Sequence, residues 1–390
     1  MKEILIVSNY YPPERGAAAN RIGRLAAGLA ARGHKVSVVC PLPNYPEGRV
    51  FEGFRGKFSA LEVIDGIHVR RLWIYPSKSA NPVVRIFSIA SFALCLKFYL
   101  LFARLPKTVI VQSPPLLLSF LSVAVLRLKR RKIILNISDL WPLAAIELGA
   151  LRENSFGHRI ALRLERFIYQ SADTVIGQSR EILQHVREIS PGKAVHLYRN
   201  FPAKFIMERG EPSPKIRIFY AGLLGIAQGV LEACEHLSPK SNVEFHIFGD
   251  GAEKEGILKF ISTSGASHIF YHGMVPQKEL AARIRSFDIA FVPLRTRIYG
   301  SVPSKIFEYA AQGFPILYFG GGEGGEIVRE LDLGWVGEPA DYKSLNQMLE
   351  EIAKMPRETL EQKKLKVFET AQREFDIEAQ LDQLMAEAAF

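Results

Sequence analysis

The chain has 390 residues, 48% of them hydrophobic and 23% charged, which exceeds the usual limit of one hydrophobic core and predicts two domains of ordinary size. Its three cysteines, Cys40, Cys95 and Cys234, stand far apart, and neither they nor the nine histidines have metal-ligand spacing. This argues against a disulfide framework or a zinc site, and no metal or other cofactor is expected. The formal charge of +10 is uneven: residues 1–200 hold 29 Lys and Arg against 13 Asp and Glu, and residues 201–390 hold 21 against 27.

Met1 runs straight into an apolar strand pattern with no signal-peptide cleavage site, so a cytoplasmic protein is expected. Residues 4–8, 36–40, 108–113, 132–138 and 174–179 are short apolar runs of strand type, alternating with helix-like stretches in a parallel-sheet rhythm. Between the first two runs, Ile22, Leu25, Leu29 and Ala30 recur at helical spacing, and Gly33-His34 ends the helix. The result is a βαβ unit. Its strand-to-helix loop, residues 9–18, is rich in turn formers and holds Gly16, where backbone can approach a ligand.

Residues 83–105 are apolar but interrupted by Arg85, Lys97 and Arg104, which leaves too short an uncharged run for a spanning helix. Residues 116–126 are apolar and lead directly into Arg127, Lys129, Arg130, Arg131 and Lys132. Apolar faces edged by cations suit a protein lying on an anionic bilayer. The alternative is a pair of core helices followed by a solvated basic turn. Nucleic acid is not an expected partner, because no aromatics interleave the basic run.

A proline-rich polar stretch over residues 200–214 reads as an interdomain linker, giving domains over 1–200 and 201–373. The rhythm restarts at 216–222, 243–251, 269–273, 289–293 and 315–319, each run ending in a loop with Gly or Pro. Ligands of such sheets lie beyond the carboxyl ends of the strands. Residues 302–315 then open a short helix with Pro303 in its first turn, closed by Gly313 and Pro315. The free amides of such a helix favour a phosphate, and Glu308 is placed to accept from the hydroxyls of a ribose; the alternative is a capped helix with Glu308 in solvent. The amphipathic tail, 374–390, is expected to pack back on the first domain.

Eight segments, in order, now carry a resemblance over nearly the whole chain. They are SNYYPPERGAAANRIGRLAAGLAARGHKVSVV at the start, ISDLWPLAAIELG at 137–149 (one residue of the loop is Asp139), LERFIYQSADTVIGQS at 164–179, YAGLLGIAQG at 220–229, IFGDGAEKE at 247–255, HGMVPQKEL at 272–280, VPSKIFEYAAQGFP at 302–315 and the glycine-rich 320–341. Together they resemble the family 4 glycosyltransferases, retaining enzymes of the α/β GT-B fold, in which two Rossmann-like doubly wound domains face each other across a cleft. NYPEG at 44–48, DLWP at 139–142 and PSKIFEYAAQG at 303–313 are similar to a subfamily that builds O-antigen and capsule repeat units and includes N-acetyl-fucosaminyl transferases.

The resemblance implies a nucleotide diphosphate sugar as donor, a lipid-linked acceptor, and a place on the inner face of the plasma membrane. It implies donor-phosphate contacts at Gly16, Gly222 and the amides after it, including Leu223, and at Ser304 and Lys305. Gly249 and Asp250 would lie beside base and ribose, Glu308 would hold the ribose, and a loop of Gly324, Gly325 and Glu326 would meet the donor sugar. Asp139 would be the acceptor-side catalytic group, although an Asp there also suits a cap of the helix beginning near Pro142.

Three positions depart from the family pattern. Leu223 and Gln228 replace a common Arg and Lys, which leaves Lys305, with Arg295 and Arg297 behind it, to neutralise the diphosphate. Gly300 replaces a common Glu, and Ala17 a common second glycine. Two other readings remain at this point: a nucleotide-sugar epimerase of the same fold, and a non-catalytic subunit that binds nucleotide or membrane.

Overall fold

The computed structural model describes residues 1–14, 16–79, 81–147, 149–238 and 242–388. Arg15 of the first loop and the last two residues of the tail lie outside these. The chain divides into two compact units. The first holds Met1–Asn200, Tyr299–Ser301 and the segment from Ile377, and the second holds Phe201–Ile298 and Val302–Asp376.

The first unit runs β1 (Glu3–Val7), α1 (Ala17–Ala31), β2 (Lys35–Pro41), β3 (Ser59–Ile64), β4 (Ile67–Leu72), α2 (Pro82–Phe102), β5 (Thr108–Ser113), α3 (Leu116–Leu128), β6 (Lys132–Ile137), α4 (Leu143–Glu147), α5 (Phe156–Ser171), β7 (Thr174–Gly177), α6 (Arg180–Ile189) and β8 (Ala194–Leu197). Its sheet has the order β3-β4-β2-β1-β5-β6-β7-β8, parallel except for β3 against β4. The central strands are buried on both faces by helices, which is why they read as continuous apolar runs. The edge pair β3 and β4 turns at Asp65-Gly66, both at positive φ, as a two-residue hairpin requires.

The second unit runs β9 (Ile216–Ala221), α7 (Val230–His236), β10 (Val243–Phe248), α8 (Lys254–Ser264), β11 (Ile269–Gly273), α9 (Gln277–Ile284), β12 (Ile289–Pro293), α10 (Ser304–Ala310), β13 (Ile316–Phe319), α11 (Gly322–Glu330), β14 (Gly334–Gly337), α12 (Tyr342–Ala353) and α13 (Arg357–Glu374). All its strands are parallel, in the order β11-β10-β9-β12-β13-β14. The last helix, α14 (Ile377–Glu387), belongs to the first unit, where Leu381, Leu384 and Ala388 share a core with Ile22, Leu25 and Leu29 of α1. Arg32 adds ion pairs to Glu378 at 2.9 Å and Asp382 at 2.7 Å.

Both sheets reverse direction at one strand: β1 lies between β2 and β5, and β9 between β10 and β12. The loops after β1 and β9, which hold Gly16 and Gly222, therefore leave their sheets at the topological switch points where such folds bind ligands.

Candidate active site

In the second unit, Gly222 follows β9 at φ +153, and its amide donates to Phe248 O at 2.8 Å. Gly249, at φ +150, lies directly against the Gly222 carbonyl, where a Cβ would collide, and Leu224 N donates to Asp250 O at 3.0 Å. The two loops are thus joined backbone to backbone, and glycine is needed at 222 and 249 for this approach. Asp250 caps its own turn by accepting from Gly251 N at 2.8 Å and lies 3.4 Å from Lys254 Nζ.

Lys305 enters from the first turn of α10. Its ammonium donates to Ala221 O and stands over the Tyr220 ring at 4.7 Å, so it borders Gly222 and not open solvent. Desolvation lowers its pKa to about 8, against the opposing field of Glu308. Gly222 and Lys305 are therefore neighbours at one strand end, with half-buried Glu308 three residues further along α10. Ser304 is the first residue of α10, while Pro303 occupies the position before the helix and not its first turn. At seven residues α10 is too short for a large dipole, so a charge at this site rests mainly on Lys305.

Leu223 is 59% exposed and Ile226 61%, so the loop after β9 presents apolar side chains. Arg295 packs across Gly229 and pairs with Glu232 at 3.3 Å, and Arg297 packs across Gly322. Gly324, Gly325 and Glu326 do not form a loop: all three lie inside α11, where Gly324 lets the helix rest on the Tyr318 hydroxyl and Ile306. Glu326 is exposed, whereas Glu323 in the first turn is buried at 2%. Sequence reasoning missed Glu323, whose only signal was its place one turn ahead of Ile327.

In the first unit, Gly16 stands before α1 at φ +135 and ψ 167, a conformation open to glycine alone. Asp139 ends β6. It accepts from Ser138 Oγ at 3.3 Å and from no backbone amide among the described residues, so the structure does not support a capping role. Burial raises its pKa to about 6, opposed by the Ser138 hydrogen bond and the charge of Arg21. Arg21 is itself buried, donating to Asn136 Oδ1 at 2.8 Å and Asn200 Oδ1 at 3.0 Å. It occupies the inner face of α1, four residues before Leu25, and that spacing was the signal for it.

Gly300 belongs to the first unit, where its amide donates to Glu181 Oε2 at 2.6 Å and its carbonyl accepts from Ser179 Oγ at 2.8 Å. With φ +81, and Ile182 and Leu140 both 3.0 Å from where a Cβ would stand, a Glu side chain has no room there.

The same unit carries an unusual surface. Helix α2 holds two of the three basic interruptions, Arg85 and Lys97, and ends before Arg104; against the expectation from sequence, Val83–Phe102 is long and apolar enough, by length and composition, to cross a membrane, with about a third of it buried. Phe92, Ala93, Leu96 and Leu100 face the core, while Val83, Ile86, Phe87, Leu94, Phe98 and Phe102 are exposed along the other side. On α5, Phe156, Ile160 and Phe167 are exposed beside Arg159, Arg163 and Arg166, three arginines at helical spacing without an ion pair among the described residues.

Two Rossmann-like α/β units with ligand loops at their switch points define a GT-B glycosyltransferase fold. Residues 16–199 match the glycosyl transferase 4-like domain family and residues 205–373 the glycosyl transferases group 1 family. Together the two matches span most of the chain, which belongs to the family 4 glycosyltransferases. It is 29% identical over 247 residues to the glycosyltransferase WbjE of Pseudomonas aeruginosa, covering 59% of this chain and 62% of that protein. It is 25% identical over 336 residues to the colanic acid biosynthesis glycosyl transferase WcaI of Escherichia coli K12, covering 80% and 81%. Among solved structures it is similar in fold to Anabaena HepE in complex with UDP-glucose, with a TM-score of 0.67 at 14% identity over 100% of this chain and 99% of that one.

Proposed function

We propose that this protein transfers a sugar from a nucleotide diphosphate donor to a lipid-linked acceptor in bacterial surface polysaccharide synthesis, with retention at the anomeric carbon. The observation that carries the reading is the approach of Lys305 to Ala221 and Gly222 at the end of β9, with Glu308 on the same short helix. Departure of a nucleotide diphosphate needs positive charge at its leaving oxygens, and Lys305 supplies it in a partly dehydrated setting where it counts for more than in water. Phosphate oxygens replace Ala221 O as its partner. Glu308 accepts from the ribose hydroxyls, and the amides beside Gly222 and Ser304 complete the phosphate contacts of this unit. The Gly249-Asp250 turn lies beside base and ribose.

On the acceptor side, Asp139 as carboxylate orients the acceptor hydroxyl, and the leaving phosphate takes its proton on the same face of the sugar. The names of the two bacterial relatives support the polysaccharide assignment, and the UDP-glucose complex of HepE supports the donor class. The exposed side of α2 and the arginines of α5 support a lipid acceptor, since together they suit an anionic bilayer surface. The protein then works at the inner face of the plasma membrane.

The test is a panel of nucleotide sugars incubated with the protein and a bacterial membrane lipid extract, with free nucleotide diphosphate as the readout. One donor should be consumed, only with lipid present, and Glu308→Ala should abolish the release. Consumption of a donor without lipid, or its conversion to another nucleotide sugar, would reject the reading.

A further inference from the structure

The loop after β1 contains a group that no part of the donor site explains. Asn9 is 7% exposed, and its Oδ1 is buried without a hydrogen-bond partner. A buried acceptor left unpaired costs about 1–3 kcal/mol, so it marks a place where a ligand's donor is missing. Beside it, Tyr10 and Tyr45 meet edge to face with ring centroids 5.3 Å apart, and Tyr45 is 39% exposed. Tyr45 also reaches to 3.6 Å from where a side chain on Gly16 would begin.

This arrangement is held on purpose-built supports. Glu14, 2% exposed, accepts from Asn44 N at 2.9 Å, Tyr45 N at 3.0 Å and Tyr11 N at 3.3 Å, tying the 44–48 loop to the loop after β1. Gly48 rests against the backbone of Lys78, where any side chain would collide. The Tyr10 hydroxyl is raised by burial, with the Asn9 side chain and the charge of Arg85 opposing that shift, which brings Arg85 into the same neighbourhood. Arg85 has no ion pair among the described residues and stands in the first turn of α2, at the head of its exposed apolar side.

We infer that Asn9, Tyr10, Tyr45 and Arg85 form the subsite for the head of the acceptor, a sugar carried on a lipid phosphate. An aromatic face with an adjacent amide acceptor suits the apolar face and the hydroxyls of a pyranose. A lone guanidinium suits the phosphate that follows. The lipid then continues along Phe87, Leu94 and Phe98. The inference rests on the proposed function, because it needs an acceptor of that class.

The test compares acceptor KM for the membrane lipid extract with that for its glycan freed from phosphate by mild acid, at saturating donor. Tyr45→Ala and Asn9→Ala should each raise KM about tenfold for both acceptors, since each removes a sugar contact. Arg85→Ser should raise it only for the phosphate-bearing lipid. Donor KM and thermal midpoint are recorded alongside, and Asn9→Ser accompanies Asn9→Ala because Asn9 is buried. Unchanged acceptor KM in the Tyr45 and Asn9 variants, with an active parent protein, would overturn the subsite alone. An equal effect of Arg85→Ser on both acceptors would remove Arg85 from phosphate recognition. A parent that consumes no donor with the extract would overturn both the subsite and the function beneath it.

Discussion

Both units are doubly wound α/β sheets, and they differ in where some of their cations stand. In the second, cations are absorbed by neighbours: Arg357 and Lys364 meet buried Asp288 at 2.6 and 3.1 Å, Lys363 and Lys366 share Asp332, and Arg285 meets Glu208. In the first, the arginines of α5 have no ion pair among the described residues and stand beside exposed phenylalanines, and one side of α2 exposes apolar side chains. An excess of lysine and arginine in a sequence says little by itself. What it does depends on whether acids and water, or apolar side chains, surround it. A soluble monomer rarely leaves such a patch uncovered. Under the proposed function, the second unit holds the small anion of the donor and the first meets a large anionic surface.

Four outcomes sharpen or break that contrast. The largest belongs to the second unit: Lys305→Ala should lower kcat/KM for the donor by about a hundredfold or more, as expected for loss of a cation at a leaving phosphate. A change below threefold would remove Lys305 from the chemistry. On the first unit, replacing Arg159, Arg163 and Arg166 together by Ser should weaken binding to anionic vesicles by about a hundredfold, at about 1 kcal/mol per charge, and leave neutral vesicles unaffected. Sedimentation with vesicles of both kinds measures this, and equal loss on both would show that the arginines act through packing.

Third comes pH. Asp139, raised to about 6, must lose its proton to orient a hydroxyl, so the rate should fall about tenfold per unit as pH drops below 6. Lys305, lowered to about 8, must keep its proton, so donor kcat/KM should fall as pH rises above 8. Asp139→Asn should remove the acid limb and Lys305→Arg the alkaline one; limbs that survive these changes belong to other groups. The smallest effect is expected for Phe98→Ser, which removes one exposed apolar side chain and should weaken vesicle binding about three- to tenfold without moving the thermal midpoint.

Much of this could be read from the chain before any fold was known. Ten strands were legible because buried parallel strands leave continuous apolar runs. Ser59–Ile64, Ile67–Leu72, Ala194–Leu197 and Gly334–Gly337 were not, since polar or charged residues interrupt the first three and the last is half glycine. Lys305 and Glu308 were visible as a motif. That Lys305 turns back onto Ala221, next to Gly222, was not, because 83 residues of chain separate the two sides of that contact. The same distance problem hid Glu14, whose partners are backbone amides some 30 residues on and therefore leave no mark in residue identity. Gly324 and Gly325 misled in the opposite sense. A glycine-rich run reads as a loop, and here it is a helix packed too closely on Tyr318 for side chains.

The most direct measurement follows the sugar itself. Nucleotide sugar labelled in the sugar ring is incubated with the protein and anionic vesicles containing bacterial lipid extract, and the label is partitioned between organic and aqueous phases. The account predicts label entering the organic phase in proportion to nucleotide diphosphate released, with both lost in Glu308→Ala. Release of nucleotide with all label left in the aqueous phase would contradict it.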